Sequence, residues 1–151
     1  MTEPSPRPTA PFASSATARR RGQQQARRDT APELALRRVL HRLGLRYLVH
    51  RRPLPSLRRS ADIVFLRSRV AVFVDGCFWH GCPDHGCQPR VNDWYWQPKI
   101  AGNKRRDVDT KHQLEAAGWA VVRVWEHEDP RVAAQRIEAL VRIRTRHRSR
   151  G

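Results

Sequence analysis

Two apolar runs, Ala61 to Leu66 and Val70 to Val74, are separated only by Arg67-Ser68-Arg69. Apart from Asp62, neither run alternates with polar residues as a half-solvated strand does, so the pattern predicts a β-hairpin of buried strands. Helical patterns flank this hairpin on both sides. Upstream, Thr30-Ala31-Pro32-Glu33 reads as a capping box with a Thr N-cap and Glu at N3, ahead of Leu34, Leu36, Val39, Leu40 and Leu43. Gly44 closes that helix. Leu45 to Val49 is a short strand candidate, and Arg51 to Arg59 a basic loop containing prolines.

Downstream, Pro98 to Ala117 has helical character with Gly118 after its end, and Trp119 to Trp125 reads as a strand. Arg131 to about Arg144 places Ala133, Ile137, Leu140 and Val141 on one helix face, and a basic tail follows. The order α-β-β-β-α-β-α predicts an α/β fold with a mixed β-sheet flanked by helices. At 151 residues the chain suits one domain with tails. Residues 1–28 are expected to be a disordered basic N-terminal arm, residues 29–144 the domain, and residues 145–151 a basic C-terminal tail.

A formal charge of +16, from 30 basic against 14 acidic residues, implies a polyphosphate partner held by contacts that weaken with salt. Nucleic acid is the natural reading. Only three of the 30 are Lys, a bias that codon composition also produces. The three cysteines lie in one loop, which argues against a disulfide framework and for reduced, metal-binding thiols in the cytosol. No apolar run approaches the ~18 residues of a membrane span, and the start lacks the apolar segment of a signal peptide. The Arg-rich, acid-poor arm also has the composition of an organelle transit peptide, although an arm lying on phosphates is simpler.

Chemistry concentrates between Asp75 and Cys87, where DGCFWHGCPDHGC holds three cysteines, two histidines and two aspartates. Cys77, Cys82 and either His85 or Cys87 are spaced as tetrahedral Zn²⁺ ligands, with His127 as a distant fourth donor. His80 suits either zinc or acid/base work, since an imidazole ordinarily titrates near neutral pH. Asp62 puts a charge in an apolar strand, which is costly unless it is paired or holds a metal; the plainer alternative is a turn or cap aspartate. The hairpin brings Asp62 and Asp75 to one end of the sheet as hard ligands for Mg²⁺, although Asp75-Gly76 is also a turn dipeptide. Phe78 and Trp79 either stack on bases or fill space under the loop. Asn92-Asp93-Trp94-Tyr95-Trp96 leads into a stretch with Lys99, Asn103, Lys104, Arg105 and Arg106, suited to phosphate or to plain solvation.

With these segments in order, the chain resembles the very short patch repair endonucleases, which act on T·G mispairs in DNA. The resemblance rests on DTAPELALRRVL, ADIVF, VAVFVDGCFWHGCPDH, NDWYWQPKIAGNKRRD and GWAVVRVWE, from about Arg28 to about Glu128. It implies a restriction-endonuclease-like fold with a zinc-binding loop, a structural Zn²⁺, and a catalytic Mg²⁺ for nicking one strand beside the mispaired thymine. Residue by residue it implies Asp62 as the magnesium ligand, His80 as the catalytic histidine and Glu33 as the supporting acid of the first helix. Phe78, Trp79 and Trp96 match the wedging aromatics, with Lys99 and Asn103 on the DNA side. Cys77, Cys82, His85 and His127 match the zinc set.

The chain departs from the family pattern at several positions. His127 stands where a cysteine is usual, Ala61 where a proline often precedes the aspartate, and Leu57-Arg58-Arg59-Ser60 where Gly-Arg-Pro is common. Asp75 stands where some relatives carry a second catalytic histidine, so here a carboxylate must serve as metal ligand or water positioner. The inserted Gly86-Cys87 makes Cys87 a substitute ligand or a free thiol. The implied partner is double-stranded DNA with a T·G mismatch, together with other mismatch-repair proteins. The implied form is a monomer, cytoplasmic and nucleoid-associated.

Overall fold

A computed structural model describes residues 28–76 and 93–151. The elements run α1 (Ala31–Arg42), β1 (Leu48–Arg51), β2 (Ala61–Phe65), β3 (Val70–Asp75), α2 (Asp93–Ala116), β4 (Ala120–Trp125) and α3 (Pro130–Ser149). The strands form one sheet in the order β1-β2-β3-β4, antiparallel at the first two pairings and parallel between β3 and β4. The expected α/β architecture with a mixed sheet is therefore present. The arm, apart from Arg28, and the loop bearing Cys77, Phe78, Trp79, His80, Cys82, His85 and Cys87 lie outside the described residues.

The buried hairpin forms as its composition requires, because each face of its strands has a separate apolar layer to enter. On one face Ile63, Phe65, Val70, Val72, Val122 and Val124 meet Leu36 and Leu40 of α1 and Ala133, Ala134, Ile137 and Val141 of α3. On the other, Val64, Ala71 and Phe73 meet Leu57, Leu114 and Trp119. Leu36, Leu40, Ile63, Leu114 and Ile137 are fully buried, each contributing on the order of 1.5–3 kcal/mol relative to exposure. The loop carrying Leu57 is fastened to α2 by Arg59, whose Nη1 donates to the Arg106 carbonyl at 2.7 Å and to Asp109 Oδ2 at 3.1 Å. Among the described residues no helix is long and apolar enough to cross a membrane.

Four local expectations are corrected. Thr30 is the N-cap of α1, but its side chain makes no capping bond; instead the Asp29 N–H donates to Glu33 Oε2 at 3.2 Å, because Asp29 takes a positive φ of 60° and turns its amide inward. The first strand is Leu48–Arg51, not Leu45 to Val49, since Leu45 and Tyr47 are spent on the core before the strand begins. Helix α2 starts at Asp93, five residues before Pro98, so Trp94, Tyr95 and Trp96 are helical. Pro98 costs only the bond to the Trp94 carbonyl near the helix start.

The basic tail expected after Arg144 continues α3 to Ser149. Arg144 bonds two carbonyls at one end of the sheet, with Nε donating to Ser68 at 2.9 Å and Nη2 to Gly118 at 2.6 Å. Thr145 donates to the Val141 carbonyl at 2.8 Å, which suits a helix that goes on. Gly118 itself has φ 82°, a left-handed value that ends α2 and that glycine takes without steric cost.

Candidate active site

The site lies at the sheet end opposite the Arg144 contacts, where β2 begins and β3 and β4 finish. Register places Ile63 against Val72 and Val64 against Ala71, so Asp62 stands opposite Phe73, and Asp75 follows two residues later on the same face. The hairpin thus brings both aspartates to one end, as expected. Asp62 is half-buried in a strand otherwise wholly buried. Its Oδ2 accepts the Val74 N–H at 2.7 Å.

Burial pushes the Asp62 carboxyl up to about 6. The Val74 N–H works against that rise, the negative charges of Glu33 and Asp75 add to it, and His50 opposes it. Three acids from α1, β2 and β3 therefore act on one another here. Carboxylates pressed together at a half-buried point make a region of negative potential, which a small hard cation relieves and for which oxygen donors are suited.

Asp75 is buried and gripped. Arg123 Nη1 donates to its Oδ1 and Oδ2 at 3.0 and 2.9 Å, while Nη2 lies 3.4 Å from Asp107 Oδ1 on α2. The guanidinium also stacks 4.6 Å from the centre of the Phe73 ring. The backbone at Asp75 is fixed as well: it pairs with Trp125, and its carbonyl accepts the Glu126 N–H at 3.0 Å.

Beside Glu33 sits a group that has no counterpart in the sequence expectations. Asp29, Glu33 and His50 each offer a ligand atom within 4.8 Å of the others. His50 Nε2 is 3.2 Å from Asp29 Oδ1 and 3.7 Å from Glu33 Oε2, and Arg37 Nη2 also donates to Asp29 Oδ1. Arg37 first, then His50, holds the Asp29 carboxyl below its usual range. A histidine on an edge strand and an aspartate before a helix carry no local signal of this meeting.

The remaining expected residues fall elsewhere. His127 is exposed two residues past β4, close in the chain to Trp125, against which β3 ends. On α2, Trp96 meets the Tyr95 ring edge-on at 4.9 Å, and Lys99 Nζ lies 4.8 Å from the same ring. Asn103 is buried and its amide oxygen accepts from Arg106, whose side chain is at the surface.

Fold and site together define a class: an α/β protein that collects acids and an imidazole at one sheet end, in a chain charged for a polyphosphate. Comparison with known proteins names it. The family described as DNA mismatch endonuclease Vsr matches residues 14–88. Type II nicking enzyme V.NaeI of Lentzea aerocolonigenes is 51% identical over 114 residues, 74% of this chain and 69% of that protein. Type II nicking enzyme V.XorIIP of Xanthomonas oryzae pv. oryzae is 44% identical over 110 residues, 70% of this chain and 76% of the relative. DNA mismatch endonuclease Vsr of Escherichia coli is 36% identical over 105 residues, 67% and 64% of the two chains. The chain belongs to the Vsr family of DNA endonucleases, enzymes that cut phosphodiester bonds within DNA.

Proposed function

We propose that this enzyme is a Mg²⁺-dependent mismatch endonuclease that nicks one strand of duplex DNA beside the mispaired thymine of a T·G mismatch, in very short patch repair. The observation that carries the reading is Asp62, half-buried and pressed by Glu33 and Asp75. Its donor set is hard oxygen, which fits Mg²⁺, and the four-stranded sheet covered on both faces fits a restriction-endonuclease-like core. Bound there, Mg²⁺ supplies charge neutralisation and polarisation of the scissile phosphate. Asp62 holds the cation and Glu33 supports it. Asp75, fixed by Arg123, adds negative potential and helps to position water. His80 acts as general acid/base on the attacking water or the 3′ leaving oxygen.

Phe78 and Trp79 wedge into the duplex at the mismatch with Trp96, while Lys99 meets phosphate and Asn103 steadies Arg106 for the same purpose. A structural Zn²⁺ is held by Cys77, Cys82, His85 and His127. Support for this set comes from the pairing of Asp75 with Trp125, which starts the loop beside the strand end that carries His127. The setting is the bacterial nucleoid in the cytoplasm, the working form a monomer, and the downstream partners other mismatch-repair proteins.

A second reading has its own support, since V.NaeI and V.XorIIP are described as type II nicking enzymes: a nickase of the same fold with another target. A third is a zinc-stabilised DNA-binding protein without nuclease activity. Purified protein with Mg²⁺ is tested on matched, T·G and otherwise mismatched duplexes of one sequence. A single-strand nick confined to the T·G duplex, abolished by Asp62→Ala and by His80→Ala, is expected. Equal nicking of the matched duplex replaces the repair reading with the nickase, and tight binding without any nick replaces both. A fully active His80→Ala enzyme removes His80 from the chemistry.

A further inference from the structure

We propose that His50 is a positioning residue of the nuclease centre, its imidazole bridging Asp29 and Glu33 so that the Glu33 carboxylate is held in place toward Asp62. The inference rests on the assignment of Asp62 and Glu33 to that centre. His50 lies between the pairs Val49–Ile63 and Arg51–Ala61, opposite Asp62 in the β1–β2 ladder. Within that strand it has φ 49°, and Asp29, its partner, has φ 60°. A non-glycine residue in the left-handed region costs on the order of 1–3 kcal/mol and persists where surrounding contacts over-determine it. Two such residues, 21 positions apart in the chain, meet each other here.

Packing alone does not account for the choice. Glycine takes this backbone conformation at no steric cost, and β1 is an edge strand whose other side chains are mostly exposed. The His50 side chain is instead 14% exposed and Glu33 8%. With the proton on Nε2, His50 donates to Asp29 Oδ1, while the Asp29 N–H donates to Glu33 Oε2. The result is a chain of hydrogen bonds, His50 to Asp29 to Glu33, with His50 Nε2 coming back to 3.7 Å from Glu33 Oε2 and Arg37 bracing Asp29 from outside. Among the described residues both contacts on Glu33 fall on Oε2, which leaves Oε1 for a cation or water. Groups that orient an acid in this way typically change affinity or activity about 10- to 100-fold when removed.

The test compares wild type, His50→Gly, His50→Gln and Asp62→Ala. Glycine keeps the backbone conformation and removes the side chain that carries the imidazole; glutamine restores a donor at a similar reach. At saturating Mg²⁺, His50→Gly is expected to lose about 10- to 100-fold in kcat with KM for the duplex within about threefold of wild type, and His50→Gln to recover to within about fivefold. A second readout needs no catalysis: the Mg²⁺ concentration giving half of the metal-induced rise in Tm increases about tenfold in His50→Gly and returns in His50→Gln. Wild-type kcat and Mg²⁺ dependence in His50→Gly overturn the proposal, as does a glutamine variant no better than glycine. If Asp62→Ala is dead while His50→Gly is normal, only this inference fails. A wild type that neither nicks nor responds to Mg²⁺ overturns the nuclease reading and this inference together.

Discussion

The guanidinium of Arg123 on β4 gives one nitrogen to both carboxylate oxygens of Asp75 at the end of β3, at 3.0 and 2.9 Å. Parallel strands are thereby tied by side chains at the point where their ladder stops. Removing the cation takes from a buried carboxylate the guanidinium that contacts both of its oxygens. Arg123→Ala is expected to lower stability by about 2–4 kcal/mol in urea unfolding, near the lower end for broken buried pairs because Arg123 is partly solvated. Arg123→Ala paired with Asp75→Asn recovers part of that loss. A single variant as stable as wild type contradicts the account.

Asp62 makes stability depend on pH. Its folded value, about 6, lies above the ordinary 3.8, so the native state favours the protonated form. The resulting stabilisation is complete below about 3.8 and is lost as pH rises through about 6. Asp62→Asn cannot ionise and keeps its Val74 hydrogen bond, so the metal-free variant gains on wild type as pH rises. At pH 8 the gain is about 1–3 kcal/mol, or several degrees in Tm, and it vanishes near pH 4. Melting in EDTA across this range measures it, and a variant less stable than wild type at pH 8 refutes the assignment. The same variant does not nick.

Arg144 contributes at the other end of the sheet. Arg144→Ala removes the bonds to the Ser68 and Gly118 carbonyls and is expected to cost about 1–3 kcal/mol. The nicking kcat, measured well below the melting temperature, stays at the wild-type value. A large fall in kcat with Tm preserved is the contrary result.

Ser68 is buried, and among the described residues its Oγ has no hydrogen-bond partner. Ser68→Ala therefore removes a desolvated hydroxyl without breaking a bond, and the protein is expected to gain up to about 1 kcal/mol. Calorimetry decides the sign.

For the loop, metal analysis of purified variants is expected to show zinc lost in Cys77→Ser and Cys82→Ser and weakened in His127→Ala. Cys87→Ser should keep it. Loss of zinc in Cys87→Ser, with His85→Ala unaffected, transfers the ligand role from His85 to Cys87.

Legibility in the sequence followed the range of the interactions. The hairpin was readable because Ala61 to Leu66 and Val70 to Val74 are apolar on both faces, and α1 because Pro32 and Gly44 punctuate it. The sequence pattern starts α2 too late because a proline ordinarily marks a boundary, and it stops α3 too early because the last turns are basic rather than amphipathic. Glu33, Asp62 and Asp75 stand out in the sequence and are gathered by the fold. Asp29, His50 and Arg123 do not stand out, since their contacts join residues 21 and 48 positions apart and leave no periodic trace. His50 is the extreme case: nothing in Leu48-Val49-His50-Arg51 marks the positive φ that it takes in the strand.

The hairpin turn and the start of β4 are clasped by Arg144 at one pole of the sheet, and the acids gather at the other. Under the proposed assignment of the cutting chemistry to those acids, sequence change at the first pole adjusts thermal tolerance without touching the groups that act on DNA.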